Sequence, residues 1–329
     1  MAVILLPQRR AHRRIGLVLG AGGVLGAAWT AGALLALQDR LDIALGDADV
    51  LVGTSSGSVL AATLRCGVNP AEIVAHQRGG GLVALPGLEA MDRDSGSRPP
   101  LPRFGFGSAR LLASTARAPH LVHPWVAASA LLPPGRASHQ SLSLLVDALL
   151  GQTGAATSWP DRPTWIVAVD YDVGRRVVFG RTGSPLASLP DAVVASCSIP
   201  GWYEPKTIGD RRYVDGGVRS GTSVGLLSKV ALDDVYVLAP MASFEMDHPR
   251  HPAARAERIV RKWLTRALSA EIAKVTATGA RVHTLTPGPD DLAAIGMNVM
   301  DHARRREVLE TSLATSADRL AAVLRRTAA

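Results

Sequence analysis

The chain has 329 residues, 47% of them hydrophobic and 19% charged, with a formal net charge of +8 and an isoelectric point near 10.2. That apolar fraction supplies an ample core and excludes a disordered chain, and the cysteines, Cys66 and Cys197 only, exclude a disulfide framework, so a reducing cytoplasm is the default compartment. The positive charge is almost wholly Arg, since Lys stands only at 206, 229, 262 and 274; it suits an anionic membrane surface, whereas no nucleic-acid motif accompanies it.

Residues 1–13 read as a basic N-terminal tail. Ile15–Leu19 follows as a strand, Gly20-Ala-Gly22-Gly23-Val-Leu-Gly26 as a loop, and Ala27 to Leu37 as an apolar helix. The uncharged stretch 15–37 behind Arg9, Arg10, Arg13 and Arg14 has the profile of a signal sequence or membrane span, but its glycines point to a buried strand, turn and helix. Consecutive glycines at a helix start leave backbone N–H groups uncovered, which suits an oxyanion hole or a phosphate cradle. A dinucleotide fingerprint requires Gly-x-Gly-x-x-Gly, and the spacing Gly20-x-Gly22-x-x-x-Gly26 departs from it.

The next strand, Val50-Leu-Val, runs directly into Gly53-x-Ser55-x-Gly57. Two glycines allow a sharp strand-to-helix turn with Ser55 at its apex, hydroxyl exposed, which makes Ser55 the candidate nucleophile; Ser56 and Ser58 are expected to be dispensable. Residues 79–140 break the pattern with Gly79-Gly-Gly81, Pro99-Pro100 and Pro133-Pro134 among many apolar residues, and read as an insert, either a lid or acyl-chain rim or an irregular structural element. Alternation then resumes, with strands at Thr164–Asp170 and Asp234–Ala239 and helices near 141–150, 190–196, 222–230, 254–278 and 301–326. Between these, Arg212-Tyr-Val-Asp215-Gly216-Gly217 delivers a carboxylate into a tight glycine turn. No linker or repeat divides the chain, so the expected fold is a single α/β domain with a mainly parallel sheet covered by helices on both faces.

Gly-rich loop, Gly-x-Ser-x-Gly and Asp-Gly-Gly, in that order and each at the end of an apolar strand, resemble the patatin-like phospholipases, lipid acyl hydrolases that use a Ser–Asp dyad. The resemblance extends to Ala168–Gly174, Ala195–Pro205 and the stretch from Met300, and covers most of 14–326 outside the insert. It implies a patatin-like three-layer architecture over 14–326, Ser55 as nucleophile, Asp215 as general base, and the amides of Gly22 and Gly23 as oxyanion donors. Gly20, Gly26, Gly53, Gly57, Gly216 and Gly217 would be the motif glycines, the substrate a lipid ester, and no cofactor or metal is needed. The chain departs from the family pattern at Leu25, commonly Arg or Lys, at Ala21, commonly Gly, and at Trp29, often His. Those losses motivate the alternative of a weak or inactive lipid-binding protein on the same scaffold.

A Ser-Asp-His triad on an α/β-hydrolase fold would need His248, His251, His283 or His302, none of which sits persuasively, and His120, His123 and His139 lack a recognised metal-ligand spacing. Residues 254–273 interleave Ile259, Val260, Trp263, Leu264, Ala267 and Leu268 with Arg255, Arg258, Arg261, Lys262 and Arg266. This helix either lies peripherally on an anionic membrane or packs on the core with a solvated basic edge.

Overall fold

The apolar runs assemble into one eight-stranded sheet in the computed structural model, which describes residues 13–81, 101, 104–154 and 158–328. Its strands are β1 (Ile15–Leu19), β2 (Val50–Thr54), β3 (Thr164–Asp170), β4 (Arg176–Phe179), β5 (Lys206–Ile208), β6 (Arg211–Asp215), β7 (Asp234–Leu238) and β8 (Arg281–Leu285). The order is β5-β6-β3-β2-β1-β7-β8, with β4 also pairing β3. From β3 to β8 along that order every pairing is parallel; β4, β5 and β6 make the antiparallel pairings. Parallel strands need long crossovers, and here these are helices: α1 (Gly23–Leu41) after β1 and α2 (Ser56–Arg65) and α3 (Pro70–Gln77) after β2.

Because side chains alternate across a strand, each strand contributes to two cores. Leu17, Leu19, Leu51, Ile166 and Ala168 pack on one face against Trp29 and Leu34 of α1, Leu60 of α2, Val193 of α7 (Leu189–Cys197) and Leu309 of α10 (Arg305–Ala328). Val18, Val52, Val167, Val235 and Val237 pack on the other, against Leu227 and against Leu268 and Val275 of α8 (Pro252–Thr276). The sheet is therefore covered on both faces, and 15–37 is a strand, loop and helix. Among the described residues no helix is long and apolar enough to cross a membrane.

The insert has its own small core. Leu111 of α4 (Ala109–Arg117) and Val126 of α5 (Pro124–Ser129) pack with Val169, Tyr171 and Val214 at the β3–β6 edge of the sheet. The Tyr171 hydroxyl donates to the Ser129 carbonyl at 2.7 Å, and Arg212, held by Asp172, reaches the Gly107 carbonyl and Ser108 hydroxyl. Residues 82–100 and 102–103 of the insert, and 1–12 of the basic tail, lie outside the described residues. The chain then continues through α6 (Gln140–Gln152), and α9 (Pro289–Ile295) follows β8.

Two expected helices change form. Residues 222–230 make only a 3-10 turn, Val224–Lys229, too short to propagate and interrupted by Gly225, whose amide is held by Glu271. The last helix starts at Arg305, four residues late, because Asp301 caps a separate turn over His302–Arg304. The larger correction concerns α8. Arg258 and Arg261, read as part of a basic outer edge, are 5% and 1% exposed, and point inward to Asp247, Glu257 and the Pro240 carbonyl. A buried guanidinium is costly unless paired, and these partners supply the pairing.

Candidate active site

β1 and β2 are parallel neighbours, so the loops that follow them emerge at the same end of the sheet, and the Gly20–Gly23 loop and Ser55 arrive side by side. Ser55 occupies φ 54°, ψ −129°, a conformation unfavourable for a residue with a side chain, between β2 and α2. Neighbouring backbone explains the flanking glycines: a Cβ on Gly57 would lie 2.1 Å from the Leu19 carbonyl oxygen, and one on Gly53 2.5 Å from the Ser58 Cα. No other residue fits so sharp an elbow against β1.

Serine side chains hold the elbow through hydrogen bonds. The Ser55 amide donates to Ser196 Oγ at 2.9 Å, and that hydroxyl donates to the Val167 carbonyl at 2.6 Å. The Ser58 hydroxyl donates to the Ser55 carbonyl at 2.6 Å. Ser58 is fully buried, so it has a structural task that the sequence did not disclose, whereas the buried Ser56 hydroxyl has no partner among the described residues. Ser196 lies in the Ala195–Pro205 stretch, where its place before the Cys-Ser-Ile-Pro turn is its one local mark.

Asp215 ends β6 and is 4% exposed. Its carboxylate accepts from the Gly217 amide at 2.7 Å and faces the Ser55 side chain, while its own amide donates to the Ser198 carbonyl at 3.0 Å. Thus the segment 196–198 braces both Ser55 and Asp215. Burial pushes the Asp215 carboxyl up from 3.8 to about 6, against the opposing pull of the Ser55 side chain and the Gly217 amide. Such a carboxylate is a stronger base than an exposed one and is still ionised at neutral pH.

The glycine loop is arranged to leave amides open. Gly20 N–H donates to Leu238, Ala21 N–H to Gly221 and Leu25 N–H to Val299, while the Gly22 and Gly23 amides at the start of α1 have no acceptor among the described residues. Gly23 has φ +59°, the left-handed region, and a Cβ there would meet Met300 Sδ at 2.8 Å. Leu25 and Trp29, the departures from the family pattern, are fully buried core residues.

Ser55 and Gly23 lie in the wall of a cavity of about 450 Å³, which falls within the usual range for ligand sites. Val59, Leu60, Ile73, Leu142, Leu145 and Ile199 make most of the rest of it apolar. The insert contributes Gly79, Gly80 and His139. His139 stacks on Tyr203 with ring centroids 3.7 Å apart, and its Nε2 donates to the Cys197 carbonyl; burial holds it down at about 4, so it is neutral.

No histidine hydrogen-bonds Ser55 or Asp215 among the described residues. His283 is buried against Asp234 at 2.8 Å and Thr327 at 2.7 Å, and His251 precedes α8. His302 lines the cavity with Nε2 buried and unpartnered. Nor does any cluster of three or more His, Cys, Asp or Glu able to hold a metal occur among the described residues. Burial and the nearby Asp215 charge raise the Cys197 thiol, which keeps it protonated and inert.

A mainly parallel sheet with a serine at a sharp strand-to-helix elbow, an open glycine loop and a buried aspartate beside it defines the class as an α/β protein with helices on both faces of its sheet. The chain belongs to the patatin-like phospholipase family, whose model matches residues 17–227. Solved structures similar to it include VipD from Legionella pneumophila, with 13% identity, TM-score 0.38, and coverage of 92% of this chain and 68% of that one. Another is the type III effector protein ExoU, with 16% identity, TM-score 0.40, and coverage of 95% of this chain, which spans 53% of ExoU's. No curated protein matches the sequence.

Proposed function

We propose that the protein is a serine lipid acyl hydrolase, a carboxylic ester hydrolase of the phospholipase, lysophospholipase or esterase type, working with a Ser55–Asp215 dyad. The observation that carries this reading is the Ser55 side chain set against a buried carboxylate at the wall of an apolar cavity. Asp215 takes the hydroxyl proton as Ser55 Oγ attacks the ester carbonyl carbon. The carbonyl oxygen becomes an oxyanion facing the Gly22 and Gly23 amides, which stabilise it without moving. Collapse of the intermediate expels the alcohol, which receives the proton from Asp215 and leaves an acyl-Ser55 ester. Water, deprotonated by Asp215, then releases the fatty acid and restores the hydroxyl.

The apolar lining from Val59 to Ile199 suits an acyl chain, and residues 14–326 act as one hydrolase domain whose insert, about 79–140, meets the cavity through Gly79, Gly80 and His139. The mechanism needs no cofactor or metal. Leu25 does not weaken it, because the donors are backbone amides. Hydrolysis of a short-chain nitrophenyl ester and of a panel of lipids by the wild type and Ser55→Ala tests the proposal; turnover retained by a folded Ser55→Ala protein overturns it.

A further inference from the structure

Leu268 and Val275 anchor the C-terminal half of α8 on the sheet, whereas its N-terminal half reverses the ordinary amphipathic order. The two carboxylates of the helix face inward, Glu257 to Arg258 and Arg261, and Glu271 to Arg176 and the Gly225 amide. Outward stand Ile259, Val260 and Trp263, 57%, 51% and 57% exposed. Exposed Arg255, Lys262 and Arg266 surround them, so the outer face of the helix carries apolar residues and positive charge with no carboxylate of its own. Three adjacent large apolar side chains in water are unfavourable unless something covers them.

The patch stands at the end of the sheet that carries the active site. Arg261 on the turn beneath it donates to the Pro240 carbonyl, and Pro240 packs so closely on the glycine loop that a Cβ on Gly22 would lie 2.8 Å from its Cγ. Two more exposed apolar residues adjoin the helix: Phe244, next to Ser243, which is bonded to Thr265, and Met297, next to Gly296, whose carbonyl accepts from Arg258. From Met297 the chain runs to Met300 in the cavity wall.

We infer that the outer face of Arg255–Arg266, with Phe244 and Met297, is a docking surface for an anionic phospholipid bilayer. Charge complementarity selects this occupant: the apolar side chains enter the headgroup region while Arg255, Lys262 and Arg266 meet lipid phosphates. The buried Arg258 and Arg261 hold the helix in place and take no direct part.

Co-sedimentation with vesicles tests this, using the full chain carrying Ser55→Ala so that binding is read independently of whether Ser55 is a nucleophile. The protein should bind phosphatidylglycerol–phosphatidylcholine vesicles more tightly than phosphatidylcholine alone, and salt should weaken the binding. Lys262→Glu with Arg266→Glu should weaken it at least about 25-fold, about fivefold for each basic charge lost. Val260→Ser with Trp263→Ser should weaken it about tenfold or more through lost burial. With Ser55 restored, both pairs should keep wild-type thermal unfolding and soluble-ester turnover. Binding unchanged by either pair, or equal and salt-insensitive on neutral and anionic vesicles, overturns the inference. So does self-association that the Trp263→Ser pair abolishes while vesicle binding persists, because the face would then join two copies of the chain.

Discussion

The raised Asp215 carboxyl gives the dyad a specific pH signature. Its displacement from 3.8 to about 6 amounts to about 3 kcal/mol against the buried carboxylate. Only the ionised form accepts the Ser55 proton, so kcat/KM should fall with decreasing pH around a midpoint near 6. At pH 5 about one tenth of the plateau rate should remain, whereas an ordinary carboxylate would leave more than about nine tenths. Initial rates on a soluble nitrophenyl ester between pH 4.5 and about 8, corrected for spontaneous hydrolysis, separate the two. The same displacement acts on stability with a definite sign. A folded-state value above the unfolded one stabilises the fold below about pH 4, and that contribution is lost as pH rises through about 6. Asp215→Asn carries no charge to bury, so it should lose activity by several orders of magnitude while gaining up to about 3 kcal/mol against urea at pH 8. An acid limb centred near pH 4, or one that survives in Asp215→Asn, would refute the reasoning.

Ser196→Ala leaves the Ser55 amide and Val167 carbonyl without their shared hydroxyl, and should cost about 2 kcal/mol in urea melts and lower kcat more than it raises KM. Gly57→Ala should lose at least about 3 kcal/mol, checked by thermal unfolding, because its Cβ would meet the backbone of Leu19 and neither chain segment can yield. His283→Ala should destabilise by about 1–3 kcal/mol, since it strips buried Asp234 of one partner, yet leave ester turnover intact; a loss of turnover matching Ser55→Ala would indicate a triad.

Much of this was legible because strand, glycine and chemistry coincide. Val50–Gly57 announces its elbow by sterics alone: an apolar strand, then glycines where the turn and β1 leave no room for a Cβ. The continuous apolar runs of β1, β2 and β3 likewise mark strands covered on both faces. Contacts distant in sequence were not legible. Ser196 reaches Ser55 across 141 residues, and a place before a Cys-Ser-Ile-Pro turn does not say which distant amide it will meet. Arg258 and Arg261 misled because residue type argued for an outer face; Asp247, the Pro240 carbonyl and their own neighbour Glu257 reversed it, leaving Ile259, Val260 and Trp263 outside.

A fluorophosphonate probe reacts only with a serine whose proton a nearby base removes, and mapping the modified peptide by mass spectrometry identifies that serine. The wild type should be labelled stoichiometrically at Ser55, with labelling lost in Ser55→Ala and greatly slowed in Asp215→Asn. Labelling at another serine, or a folded wild type that takes up no probe, would contradict the Ser55–Asp215 dyad.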